Sequence, residues 1–127
     1  MCGLRVSPCD MRDFDLILFG VTGYTGRLVA EALLEYPEPG LRWAIAGRNE
    51  EKLGQVRSDL SARFPEAEDL AIVVADSLNA QEMSDLVQRT RVVCTTVGPY
   101  TKYGDALVAA CVEHGTDYCD LAGEVSW

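Results

Sequence analysis

The sequence predicts an α/β domain built on a doubly wound parallel sheet, strand order 3-2-1-4-5, with helices on both faces and three layers in all. Three observations predict it. Short apolar runs of strand length alternate with longer segments of helical period along most of the chain. The runs are mostly apolar, as strands covered on both faces require. A glycine-rich turn, GVTGYTG, joins the first run to the first helical segment.

The elements follow in order. Phe14–Phe19 reads as a short buried strand. Thr25–Tyr36 reads as a helix whose apolar face is Leu28, Val29, Ala32, Leu33 and Tyr36, ended by Pro37, Pro39 and Gly40. Arg42–Ala46 is the second strand. Asn49 caps a helix running to about Phe64, with a stripe of Leu53, Val56, Leu60 and Phe64, and Pro65 stops it. Leu70–Ala75 is the third strand. Asn79 with Glu82 has the form of a capping box and opens a helix to about Arg89. Arg91–Thr96 is the fourth strand, Tyr103–His114 a helix closed by Gly115, and Asp117–Leu121 the fifth strand. Right-handed crossovers put the reversal of strand order between strands one and four. Ligands of such sheets bind there, at the carboxyl ends, which here are Gly20–Gly26 and Val97–Tyr100.

Composition narrows the function. The chain has 127 residues, 48% of them hydrophobic, enough for one domain with a real core. Twenty acidic residues against eleven basic ones give a net charge of −9. No block of Lys and Arg offsets this, so nucleic acid and anionic lipid are excluded as general partners. No apolar run approaches the ~20 residues of a membrane helix. Residues 1–13, MCGLRVSPCDMRD, lack the apolar centre of a secretory signal and read as a mobile leader before a domain at 14–127. The cysteines, Cys2, Cys9, Cys94, Cys111 and Cys119, are odd in number and form no CxxC, which suits a reducing, cytoplasmic compartment. Cys94 and Cys119 lie in apolar runs and read as small core residues.

The glycine turn carries the chemistry. Gly20 allows the tight turn, Gly23 lets the backbone approach a bulky anion, and Gly26 lets the helix pack closely on the sheet. The unpaired amides and positive dipole end of that helix then hold a pyrophosphate. The spacing GxxGxxG is a variant of the dinucleotide fingerprint of Rossmann-type sheets. The competing reading, a glycine-rich turn without a ligand, does not account for the strand before it, the helix after it and the length of the unit.

The end of strand two bears on which dinucleotide. An NAD site carries an acid there for the ribose hydroxyls. This chain has Ala46-Gly47-Arg48-Asn49, where Gly47 leaves room and the Arg48 guanidinium suits a 2′-phosphate. The expected cofactor is NADP(H) in preference to NAD(H). Asp76 either reaches the adenine edge or serves as a loop residue. Thr96, Gly98 and Pro99 border the nicotinamide half, Gly98 by permitting close approach and Pro99 by stiffening the turn. Tyr100, Lys102 and Tyr103 follow, with the two tyrosines the better candidates to face a substrate.

Three segments, FGVTGYTGRLV, AIAGRN and TTVGPYTKYGDALVAACVEHGTDYCDLAGE, together resemble the N-terminal NADP-binding domain of saccharopine dehydrogenase-like oxidoreductases, a pattern shared with trans-acting enoyl reductases. The resemblance covers Phe14 to the C-terminus. It implies a nicotinamide-dependent oxidoreductase with a second, substrate-binding domain, for some members a lipid-related one. The family's loop role carries to Gly20, Thr22, Gly23, Tyr24, Thr25 and Gly26, and its AGR role to Arg48. Family chains run well past Gly123-Glu124-Val125-Ser126-Trp127. The expectation is therefore a fragment or short form without its substrate domain, inactive alone, whose catalytic acid or base is unassigned.

Other chemistries fit less well. Neither Lys52 nor Lys102 follows a tyrosine by four, so no Tyr-x-x-x-Lys pair is present. Cys111, His114, Cys119 and Asp120 match no zinc spacing, and no metal is expected. The single histidine, His114, sits where a helix C-terminus favours it and gives no support to a Ser-His-Asp triad. Glu124 reads as a helix-start carboxylate ahead of a substrate-facing one. Two functions stand: a hydride-transfer enzyme on a small-molecule or lipid substrate, and a non-catalytic NADP(H) sensor or scaffold. The edge at Asp117–Leu121 leaves self-association open, and a longer form leaves membrane or lipid-droplet association open.

Overall fold

The computed structural model describes residues 12–98 and 100–121, with the backbone alone for Tyr100 and Thr101. Cys2, Cys9, Pro99, Glu124 and the C-terminal GEVSW segment lie outside the described residues.

The strands are β1 Phe14–Phe19, β2 Trp43–Gly47, β3 Ala71–Val74, β4 Thr90–Thr95 and β5 Asp117–Cys119. The helices are α1 Tyr24–Glu35, α2 Glu50–Arg63, α3 Ala80–Val87, a single turn α4 Tyr100–Tyr103, and α5 Asp105–His114. The sheet order is β3-β2-β1-β4-β5, and all neighbours are parallel. Doubly wound topology and strand order agree with the sequence reading.

Alternation along β1 shows why both faces must be covered. Ile17 and Phe19 enter a core shared with Met83, Leu86 and Val87 of α3 and Leu107 and Cys111 of α5. Leu18 enters the opposite core with Ala30 and Leu34 of α1 and Leu53 and Leu60 of α2. Each buried Leu, Ile, Val, Phe or Met side chain among these contributes about 1.5–3 kcal/mol, and a charge at Ile17, Leu18 or Phe19 would face a core whichever way it pointed.

Three details of the helices differ from the sequence reading. First, α1 buries Gly26, Ala30 and Leu34, not the face of Leu28 and Tyr36. Leu28 is 46% and Tyr36 76% exposed. Close approach at Gly26 sets the rotation of the helix, and the bulkier apolar residues turn outward. Second, the last helix is split. Gly104 is buried between α4 and α5, and Asp105 opens α5 as a first-turn acid. Third, the capping box at α3 is half made. Asn79 Oδ1 accepts the Glu82 amide at 3.0 Å. The Glu82 carboxylate, however, accepts the Asp76 amide at 2.8 Å and so ties down the loop after β3.

Asn49 Oδ1 caps α2 as expected, accepting the Lys52 amide at 3.0 Å. After α2, Pro65–Asp69 forms a 3-10 turn that the proline starts. Gly115 ends α5 at φ +67, a left-handed position that favours glycine.

Arg12 and Asp13 belong to the folded body, which corrects the leader boundary. The Arg12 guanidinium donates to the Val87, Thr90 and His114 carbonyls at 3.2, 2.7 and 2.7 Å and to Thr116 Oγ1 at 2.6 Å. Two of these carbonyls close helices α3 and α5, whose last C=O groups have no partner within the helix. Asp13 accepts from Arg89 Nε at 3.0 Å. Of the described cysteines, Cys111 is buried as a core residue, Cys94 is half-buried, and Cys119 is exposed rather than core. Among the described residues, Cys119 lies on the edge strand, beside β4.

Candidate functional site

The carboxyl ends of four strands open on one cleft of about 250 Å³. The loop after β1 contributes Gly20 and Thr22, and the end of β2 contributes Gly47 and Arg48. The loop after β3 contributes Asp76, Ser77 and Leu78, and the segment after β4 contributes Val97 and Tyr103. Phe19, the last residue of β1, lines the cleft as well.

The glycine loop is held from within. Gly20 has φ +107, a backbone angle that side chains rarely permit. A β-carbon there would stand 2.6 Å from Thr96 Oγ1 and 2.9 Å from Val97 Cγ2. The Gly20 amide donates to the Ala46 carbonyl at 3.1 Å, and the Gly20 carbonyl accepts the Gly23 amide at 3.1 Å. Gly26 sits directly over this carbonyl, as the close helix packing requires.

Gly23 differs. It caps α1 with φ −87 and ψ 169, which any residue adopts. A β-carbon there would meet only the Gly20 carbonyl oxygen, at an ordinary 3.6 Å. Nothing in the described protein needs glycine at 23, and the space in front of it is what a bound anion would take.

The start of α1 is suited to negative charge. It has no side-chain cap and no acid in its first turn. Helices α2 and α3, by contrast, have asparagine caps and glutamates at their starts. The first amides of α1 are therefore left to a ligand or to solvent. Thr22, Tyr24 and Thr25 are all exposed at this end, and Tyr24 is 81% exposed.

Arg48 is exposed on the cleft and has no hydrogen bond or ion pair among the described residues. Gly47 below it is buried against Leu53, where a β-carbon would come within 3.4 Å of Leu53 Cδ2. Asp76 has the loop role. It lines the cleft, and its Oδ1 accepts the Leu78 amide at 2.9 Å, an Asx turn that shapes the loop. Thr96 lies under the loop, its hydroxyl 3.2 Å from the Gly20 carbonyl oxygen. Gly98 is exposed in open space. Tyr103 lines the cleft, while Lys102 lies over its ring with Nζ 5.1 Å from the centroid.

Ser77 and Leu78 were not singled out from sequence. Leu78 carried a signal, an apolar residue in the polar loop DSLN; it is 59% exposed at the cleft. His114, last in α5, shares a 2.8 Å hydrogen bond with Ser84 Oγ on α3, far from the cleft lining. It ties two helices together.

A parallel three-layer sheet with a glycine loop and an uncapped helix at its switch point defines a dinucleotide-binding domain of the Rossmann type. Residues 16–126 match the saccharopine dehydrogenase NADP binding domain, and the chain belongs to that family. It is 48% identical over 120 residues to the trans-acting enoyl reductase of Mycobacterium leprae, covering 94% of this chain and 28% of that protein. It is 36% identical over 119 residues to a lipid droplet localized protein of Caenorhabditis elegans, covering 92% of this chain and 28% of that protein. The structure of saccharopine dehydrogenase (L-Glu forming) from Saccharomyces cerevisiae aligns at a TM-score of 0.67 with 14% identity, over 87% of this chain and 22% of the other. At that identity the likeness shows the fold alone. The chain thus spans 28% of the length of these two curated relatives. No helix among the described residues is long and apolar enough to cross a membrane.

Proposed function

We propose that this NADP-binding domain prefers NADP(H) to NAD(H) and holds it for a reductase acting on an unsaturated, lipid-related acyl substrate bound by a second domain. The observation that carries the cofactor preference is Arg48. Arg48 lines the cleft at the end of β2, and its side chain has no partner among the described residues, at the place where an NAD site carries an acid. A fork of donors without a protein acceptor suits a phosphate oxygen pair.

In this reading the Gly20–Gly26 loop and the first amides of α1 hold the diphosphate. Arg48 holds the 2′-phosphate, and Asp76 with Leu78 borders the adenine. Gly98 and Tyr103 border the nicotinamide end. The nicotinamide supplies the hydride when bound. The chain's own part is to bind, orient and shield. The substrate class rests on the printed names of the relatives, enoyl reduction in one and lipid droplets in the other. A cytoplasmic protein working at a lipid surface fits both.

The test is calorimetric titration of the wild-type chain and Arg48→Glu with NADPH and NADH. Wild type should bind NADPH more tightly. The substitution should weaken NADPH by at least about tenfold, roughly 1.4 kcal/mol, and NADH much less. Equal effects on the two coenzymes would reject the phosphate role of Arg48.

A further inference from the structure

Thr96 follows the last residue of β4, across the switch point from the glycine loop. Its amide donates to the Phe19 carbonyl at 2.9 Å and extends the β1–β4 ladder by one bond. Its hydroxyl turns toward the loop, with Oγ1 3.2 Å from the Gly20 carbonyl oxygen and 3.4 Å from that of Phe19. The same oxygen fills the space that β-carbons on Gly20 and Gly26 would enter, at 2.6 and 2.7 Å.

The Gly20 carbonyl therefore accepts two donors. One is the Gly23 amide from within the loop, and the other is the Thr96 hydroxyl from the neighbouring strand. A glycine at φ +107 has wide backbone freedom, so a single bond leaves the peptide after Gly20 loosely defined. The second bond fixes it against β4. That peptide leads through Val21 and Thr22 into Gly23 and the first amides of α1. Thr95 does a different task, its Oγ1 accepting the Val97 amide at 3.2 Å to shape the next turn.

We infer that Thr96 is a positioning residue, whose hydroxyl sets the Gly20 carbonyl and through it the aim of the α1 amides at a diphosphate. The inference rests on reading the cleft as the NADP(H) site. Donors aimed before the ligand arrives need no ordering on binding, so affinity depends on a residue that need not touch the ligand. A merely structural threonine in this position would be replaceable by valine, which has the same shape and β-branch.

Thr96→Val and Thr96→Ser are compared with wild type by titration with NADPH and with 2′-AMP, alongside urea unfolding. The nucleotide 2′-AMP carries the adenosine and the 2′-phosphate but no diphosphate. Thr96→Val should weaken NADPH by about tenfold, as loss of one hydrogen bond predicts, and leave 2′-AMP within about twofold. Thr96→Ser should stay near wild type for both. If the valine variant does not fold, Thr96→Ala replaces it, and serine against alanine gives the same comparison. NADPH binding untouched by valine, equal losses for both ligands, or serine failing with valine would each overturn the role of Thr96 alone. Wild-type protein binding neither ligand would overturn the cofactor reading together with it.

Discussion

Gly26 lies so close to Gly20 that a β-carbon at position 26 would stand 2.7 Å from the Gly20 carbonyl carbon. The obstacle is backbone, and the Thr96 hydroxyl at 2.7 Å blocks the other side. Gly26→Ala should therefore destabilise the fold by about 1–3 kcal/mol, the usual cost of overpacking, although alanine is otherwise the better helix former. Gly23→Ala should change stability by less than about 1 kcal/mol, the scale of an N-cap exchange, yet weaken NADPH strongly. Urea unfolding and coenzyme titration of both variants separate the roles. A Gly23→Ala variant that binds NADPH like wild type would mean that the space before α1 is not the diphosphate seat.

That pair also shows how far the sequence could be read. The three glycines stand in the chain as a pattern, and so do the apolar runs of the five strands, because both are local and periodic. The rotation of α1 was misjudged from its largest apolar residues, since close packing at Gly26 outranks the burial of Leu28. Arg12 was illegible. Its acceptors lie 75 to 104 residues away, two of them backbone carbonyls at helix ends, and no spacing announces such a contact. Thr96 was read as a neighbour of the nicotinamide, while its bond to Gly20 depends on strand register.

Arg12→Ala should destabilise the domain by about 2–3 kcal/mol, because it strips a charged donor from three carbonyls and a hydroxyl. Arg12→Lys should recover only part of this, since one ammonium cannot span acceptors on α3, β4 and α5. The cleft is formed at the opposite ends of the strands, so NADPH affinity measured well below the unfolding midpoint should be unchanged. A stability loss under about 0.5 kcal/mol, the scale of ordinary surface changes, would show the bonds to be incidental.

Cys94 and Cys119 face one another in register across β4 and β5. Burial pushes the Cys94 thiol up to about 12, helped by Cys119 and Asp120. Burial likewise takes Cys111 to about 11, with Asp117 adding to the rise and Arg12 opposing it. Thiolate is the reactive form. At pH 8, iodoacetamide should therefore modify Cys94 at least about tenfold more slowly in the folded chain than in urea. Peptide mapping should find Cys119, which is exposed, modified before Cys94 and Cys111. Rapid labelling of Cys94 in the folded chain would mean that β5 leaves the sheet readily.

Asp15 links the start of β1 to the residue before β2. Its carboxylate accepts the Arg42 amide at 3.0 Å and the Arg42 guanidinium at 3.1 Å. Burial works to raise its pKa, but these bonds and the charges of Arg42 and Arg91 prevail, and the folded value lies below the ordinary one. The folded chain therefore holds this proton less tightly than the unfolded chain. The resulting stabilisation is complete above the unfolded value near ~3.9 and fades as pH falls through the folded value. Asp15→Asn should be less stable than wild type at pH 7, and the two unfolding curves should draw together in acid. The Arg42 side chain is 56% exposed, so part of the effect is screened and should shrink in high salt. A gap that stays constant from neutral pH into acid would assign the effect to the amide bond and packing, with no share for the charge.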